Sequence, residues 1–224
     1  MIVTPDTVPP EVRPVARSAD EASATPVVEG VVRLRLPVAY TATAAVNAFL
    51  LEEGTMIETR VGSWRTVPAP GHSPAQVVLF QEESGMLLSA DLAIAARIPY
   101  LEYGYTADPF AEHVASLERA LALEPRLLLP GHGSPTTDAA GPIAAALAAI
   151  EAAPGLILAA ISDEPRSAFE AIEAVLDPDV LHYPRQVALS GAMCILERLE
   201  RLGAVRGADE PDGARRYLAT GNAA

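Results

Sequence analysis

The sequence predicts an α/β (α+β) chain, and three observations carry that reading. Residues 31–91 hold short alternating runs such as "VVRLRLPVAY" and "AQVVLF", which suit half-buried strands. An apolar stripe at helical spacing then starts at Asp108-Pro109 and leads into the apolar run "RLLLPGHG", a strand–helix–strand order. Beyond Ser167 the pattern changes to two helical segments closed by a Pro-Asp-Gly hairpin.

The elements follow in order. Residues 1–28 hold Pro5, Pro9, Pro10, Pro14 and Pro26 among small and charged residues, with too little apolar surface to offset ordering entropy; a flexible arm is expected. Val31–Gly54 predicts two strands, the first with Val32, Leu34 and Leu36 on one face, the second in "VNAFLLEE". "TMIETRVGSWRTVPAP" stays β-like. Gln76–Phe80 and Met86–Ser89 are joined at Ser84-Gly85 as a hairpin. Asp108 as N-cap and Pro109 at the first helical position open a helix whose stripe is Phe110, Val114, Leu117 and Leu121. A second helix is expected from Ala139 to about Ala152, with a break at "APGLILAAISDEPRS". Ser167–Leu176 and Arg185–Leu202 read as helices, the latter with Leu189, Met193, Leu196, Leu199 and Leu202 on one side and Gly203 as its stop. Helices followed by a hairpin form a winged-helix layout, so the expected domains are 29–153 and 160–220.

Composition narrows the classes. The 224 residues suffice for one good-sized domain, or a medium one plus a small one. No uninterrupted apolar run is expected to approach the roughly 18–20 residues of a membrane span. The start shows no apolar stretch behind a basic cluster, hence no secretory signal is expected. Cys194 is the single cysteine, which excludes an internal disulfide and fits a reducing cytoplasm, the expected location. A net charge of −13 works against attraction to nucleic acid or to an anionic membrane surface.

The chemistry centres on His72, Asp91 and His132. Each ends a strand-like run, where loops from adjacent strands converge. Gly71 and Gly131 permit sharp turns and close backbone approach beside the histidines. Two imidazoles and a carboxylate suit zinc or another first-row divalent metal, which lowers the pKa of a coordinated water to about 7. The spacing alone fits equally well two unconnected turn histidines and a helix-capping aspartate, since ligands so scattered form no compact motif.

The segments "TVPAPGHSPAQVVLF", "GMLLSADLAI" and "LEPRLLLPGHG" resemble consecutive motifs of the metallo-β-lactamase-fold hydrolases. They are most similar to the branch with a C-terminal winged helix called β-lactamase-like protein 2, over Val31 to Tyr217. The resemblance implies an αβ/βα sandwich with its site at an open edge and one or two zinc ions. It also implies hydrolysis of a thioester, ester or phosphodiester small molecule by metal-activated water. By the same resemblance His72 binds the first metal, Asp91 bridges both as the catalytic carboxylate, and His132 binds the second. The family's His-x-His-x-Asp-His segment has no counterpart: only Thr55, Met56 and Ile57 stand between "AFLLEEG" and "ETRVGSW", an internal deletion near 54–58. A truncated sandwich is therefore expected, with weak or partial metal occupancy and impaired or absent activity. The alternative is a non-catalytic scaffold. The deletion also predicts an apolar sheet flank, covered by a second copy of the chain, by a fuller relative or by the Pro-rich arm.

The other landmarks read as structural. His113 lies within the first helix, and His182 in "DVLHYPR" has no acidic or Cys neighbour at ligand spacing. Trp64 and Phe80 read as core. "RIPYLEYGY" either lines the substrate or packs on its own domain. From Asp163 onward there are 11 acids and 7 arginines, a net of −4, which argues against DNA reading by the winged-helix segment.

Overall fold

The computed structural model describes residues 2–3, 23–28, 31–35, 53–176, 185–211 and 213–221. Its main sheet has six strands: β1 (Ile2–Val3), β4 (Met56–Thr59), β5 (Gly62–Pro68), β6 (Val77–Gln81), β7 (Met86–Ala90) and β8 (Leu127–Pro130), in the order β1-β4-β5-β6-β7-β8. Strands β4 to β7 are antiparallel neighbours. β8 lies parallel to β7, a pairing that needs a crossover, and α1 (Pro109–Ala122) supplies it. Since β5 and β7 both oppose β6, and β8 follows β7, the C-terminal ends of β5, β7 and β8 share one edge of the sheet. That shared edge sets the position of the site.

The segment expected to be an arm contributes two strands. Ile2–Val3 pairs in parallel with Met56 and Ile57, along the edge of β4. β2 (Ser23–Val28) pairs antiparallel with β3 (Val31–Arg35). Backbone pairing satisfies these peptides in a way that composition does not disclose. The rest of residues 1–28, the strand expected in Val46–Glu53 apart from Glu53 itself, and His182 lie outside the described residues.

Alternation along the strands sorts side chains between two faces. Val67 pairs with Val78, and Phe80 with Leu87 and through it Leu128; these residues form one apolar face beneath α1. The same cluster continues through Leu117 of α1 and Ile143, Ile150 and Ile157 of α2 (Ala140–Ala160) to Ile172 of α3 (Ala168–Val175) and Ile195 of α4 (Arg185–Arg201). Each such fully buried side chain contributes roughly 1.5–3 kcal/mol. The opposite face carries a smaller cluster of Trp64, Met86 and Leu129.

α1 begins as expected: Asp108 Oδ1 accepts from the Ala111 N–H at 3.1 Å, with Pro109 in the first turn. Asp108 also pairs with Arg198 and, at 3.3 Å, with Arg201, tying α4 to the start of α1. α2 departs from expectation by running on to Ala160 through Pro154. A helix-interior proline costs about 3 kcal/mol. Burial of Ala153, Ile157 and Ile161 around and beyond the proline offsets it. By length and mean composition α2 could also cross a membrane, although Glu151 interrupts its apolar run. Its buried stripe is spent on the helices around it.

At the C-terminal end, Ser167 and Glu170 form a reciprocal capping box at the start of α3. Gly203, at φ 76°, ends α4. A hairpin of β10 (Val205–Asp209) and β11 (Arg215–Ala219) follows, and β9 (Arg166–Ser167) adds a third strand beside β11. The buried face of α4 keeps Leu196 and Leu199 as expected but is broader, with Cys194 among the residues added. Ala188, Gly191, Ala192, Ile195 and Leu199 point inward, whereas Leu202 is exposed.

Candidate functional site

Three loops leave the shared sheet edge and bring His72, Asp91 and His132 together. β5 and β8 stand roughly 14 Å apart, three strand spacings, so the loops rather than the strands close the distance. After Pro68 the chain turns back over the sheet, with the Ala69 N–H donating to Gln76 O at 2.8 Å. Gly71 takes φ 118°, and a Cβ there would lie 2.4 Å from His113 Cβ and 2.6 Å from its Cα. Glycine is thus required twice at that point.

Asp91 follows Ala90, which is held at φ 46° in the left-handed region. Such strain costs a non-glycine residue about 1–3 kcal/mol and recurs at functional sites. The Gly131 N–H donates to Ala90 O at 2.8 Å, which locks the β8 turn onto the end of β7. A Cβ on Gly131 would meet Asp91 Oδ1 at 2.4 Å. Gly131 therefore serves close approach of the carboxylate.

His72 Nε2 lies 3.6 Å from Asp91 Oδ2, and His132 Nε2 lies 3.5 Å from Asp91 Oδ1. Each imidazole faces its own carboxylate oxygen. These separations exceed an ordinary hydrogen bond of about 2.7–3.2 Å. They come close to the ~3.4 Å edge between two donor atoms each about 2.1 Å from one tetrahedral zinc. The residues present thus fit a divalent metal, as two half-sites that share Asp91. Among the described residues no three His, Cys, Asp or Glu side chains group closely enough to hold a single ion together.

The two half-sites differ in setting. The His72 side chain is 21% exposed and that of His132 75%. Burial lowers the pKa of His72 below its ordinary 6.5 and His132 adds to this, against the opposing pull of Asp91 and Glu102. His72 is thereby neutral near pH 7, the form that ligates a metal. The ring of Tyr100 meets it edge-on at 4.9 Å between centroids.

Sequence reasoning placed His72, Asp91 and His132 at one rim, and the structure brings them together. It read Trp64 and Phe80 as core, and both are buried. It had Tyr100 only as part of the "RIPYLEYGY" segment, and it did not give the full burial of His113. His113 is 3% exposed, its Nδ1 has no hydrogen-bond partner, and burial pushes its pKa down to about 4, with His72 nearby adding to the effect. Its place behind Gly71 was signalled by Pro109, Phe110 and Leu117, which put position 113 on the inner face of α1. Cys194 is buried, and burial and then Glu197 push its thiol up to about 12.

Comparison with known proteins decides the family. The model of the metallo-beta-lactamase superfamily matches residues 6–132, more than half of the chain and ending at His132. This chain belongs to the metallo-beta-lactamase superfamily. It is 36% identical over 94 residues to a probable metallo-hydrolase, YqjP, of Bacillus subtilis (strain 168), covering 39% of this chain and 29% of that protein. A metallo-beta-lactamase family protein of Thermus thermophilus superposes with TM-score 0.63 at 26% identity, over 75% of this chain and 53% of its own. A beta-lactamase domain protein of Burkholderia ambifaria gives 0.64 at 26% identity, over 82% and 54%. The chain therefore spans about half the length of those solved structures and under a third of the curated relative. Membership of the superfamily implies a metal cofactor, and the rim built by His72, Asp91 and His132 is the place whose chemistry suits one.

Proposed function

We propose that this metallo-beta-lactamase superfamily chain is a metal-dependent hydrolase relative with a reduced site, cleaving a small thioester, ester or phosphodiester slowly if at all. The observation that carries the reading is the separate facing of Asp91 Oδ1 and Oδ2 toward His132 and His72. When bound, a divalent metal such as zinc supplies Lewis acidity and brings the pKa of water down to about 7. The chain's own residues do the rest: His72 offers a neutral nitrogen, and Asp91 places one carboxylate oxygen toward each histidine. Asp91 is the acid group beside the reacting centre and the catalytic residue of this proposal. Two protein donors per half-site fall short of the three that an open catalytic zinc uses. Occupancy is accordingly weak or partial.

A second reading, a non-catalytic scaffold, is favoured by the absence of any His-x-His in the 224 residues. The C-terminal helices and hairpin act in this proposal as a winged-helix unit packed beside the site, in line with the acidic excess from Asp163 onward. A second copy of the chain covers the sheet face around Trp64, where Leu88 is exposed. Elemental analysis of the purified protein, combined with turnover of generic thioester and phosphodiester substrates, tests the main reading. Sub-stoichiometric zinc and slow hydrolysis, both reduced in His72→Ala and Asp91→Ala, are expected. No zinc and no turnover would leave the scaffold reading.

A further inference from the structure

The loop between Asp91 and α1 is gripped on two sides. Facing the site, Tyr100 meets the His72 ring, and the Glu102 N–H donates to Gly71 O at 3.3 Å. On the far side lies α4. A Cβ on Gly191 would come 1.9 Å from Pro99 O, so the helix backbone sits directly against the loop. Ser190 Oγ donates to Leu101 O at 2.5 Å and accepts from the Tyr103 N–H at 3.2 Å. Tyr103 OH donates to Glu197 at 2.5 Å. Ile98 and Leu101 between these contacts are fully buried.

We propose that α4 is a positioning element for the His72 half of the site: Gly191 and Ser190 set the height of residues 98–103, and Tyr100, carried on that loop, fixes the His72 imidazole. Where Pro99 crosses α4 the helix carries glycine, because the loop backbone comes this close. A side chain at 191 would lift the loop away from the sheet edge. Packing on its own would need no hydroxyl at position 190 to receive one loop N–H and return a bond to the neighbouring carbonyl. The pair of bonds fixes the register of the loop as well as its distance, which is what orientation of a ligand from outside its own coordination requires. The consequence for metal binding rests on the proposed function; the positional claim does not.

The test uses the full chain, metal-free and zinc-loaded, with variants Gly191→Ala, Ser190→Ala, Ser190→Thr and Tyr100→Leu. Three quantities are read: amide exchange of Glu102, the nitrogen–proton NMR signals of the His72 and His132 rings, and zinc affinity by chelator competition. Gly191→Ala and Ser190→Ala are expected to speed exchange at Glu102, to shift the His72 ring signals while those of His132 stay in place, and to weaken zinc about 10–100-fold. Tyr100→Leu gives the His72 shift without the faster exchange, and Ser190→Thr restores wild-type behaviour. If Gly191→Ala does not fold, Ser190→Ala and Tyr100→Leu decide. Unchanged His72 ring signals in those variants would overturn the proposal, even with a lowered melting temperature, because α4 would then only stabilise the domain. A wild-type protein that takes up no zinc would defeat the metal reading, and the metal-free ring signals would still judge the role of α4.

Discussion

The two histidines that face Asp91 stand in opposite surroundings. His72 is mostly covered, with Gly71 pressed on His113 behind it and Tyr100 at its edge. His132 projects from a turn between Gly131 and Gly133, three-quarters exposed. One side of the rim is built into the core; the other hangs from it. The difference teaches that neighbouring residues of one rim can differ widely in how far the hydrophobic core encloses them. The His72 side depends on α1 and, by our inference, on α4. The His132 side is held by backbone bonds, from Gly131 to Ala90 and between Leu128 and Thr136, and by the carboxylate it faces.

This contrast can be broken from either side. Gly71→Ala should have the largest effect, a loss of roughly 3–4 kcal/mol, because a methyl there meets both an unfavourable φ and the His113 backbone. Urea unfolding measures it, and a loss below about 1 kcal/mol would mean that the loop is not seated on α1. Acid comes next. His113 is held at about 4 when folded against 6.5 when unfolded, so the unfolded chain binds the extra proton between those values. Stability should therefore fall by roughly 3 kcal/mol as pH drops from about 6.5 to about 4, then level off. His72, also held below 6.5, adds to the fall. His113→Leu should flatten much of the dependence; an unchanged slope would show that His113 finds its proton in the folded state. The smallest effect belongs to His132→Ala, expected to change stability by less than about 0.5 kcal/mol in the metal-free protein. A larger loss there would erase the distinction between the two sides.

Much of this was legible in the chain. Asp108-Pro109 announced α1 to the residue, and Ser84-Gly85 marked the β6–β7 turn, because caps and tight turns are local chemistry. The Gly-His turns pointed to the rim, although its closure depends on strand directions that the sequence does not spell out. Other features stayed hidden for physical reasons. Ile2–Val3 and Arg166–Ser167 are too short to show a period of two. Pro154 suggested a break, but burial of the following turn outweighs it. On α4 the large residues drew attention to Leu189, Met193 and Leu202, whereas the small Ala188, Gly191 and Ala192 share the inner face with Leu196 and Leu199. Small residues at that spacing were the available signal of a close neighbour.

The claim on which all of this rests is that Asp91 is shared by both histidines. Zinc titration of the metal-free protein, followed through the ring-nitrogen signals of His72 and His132, tests it most directly. Both histidines should respond in the wild type, and Asp91→Ala should abolish both responses together. Undiminished responses in Asp91→Ala, or a wild type in which neither ring responds, would contradict a common rim.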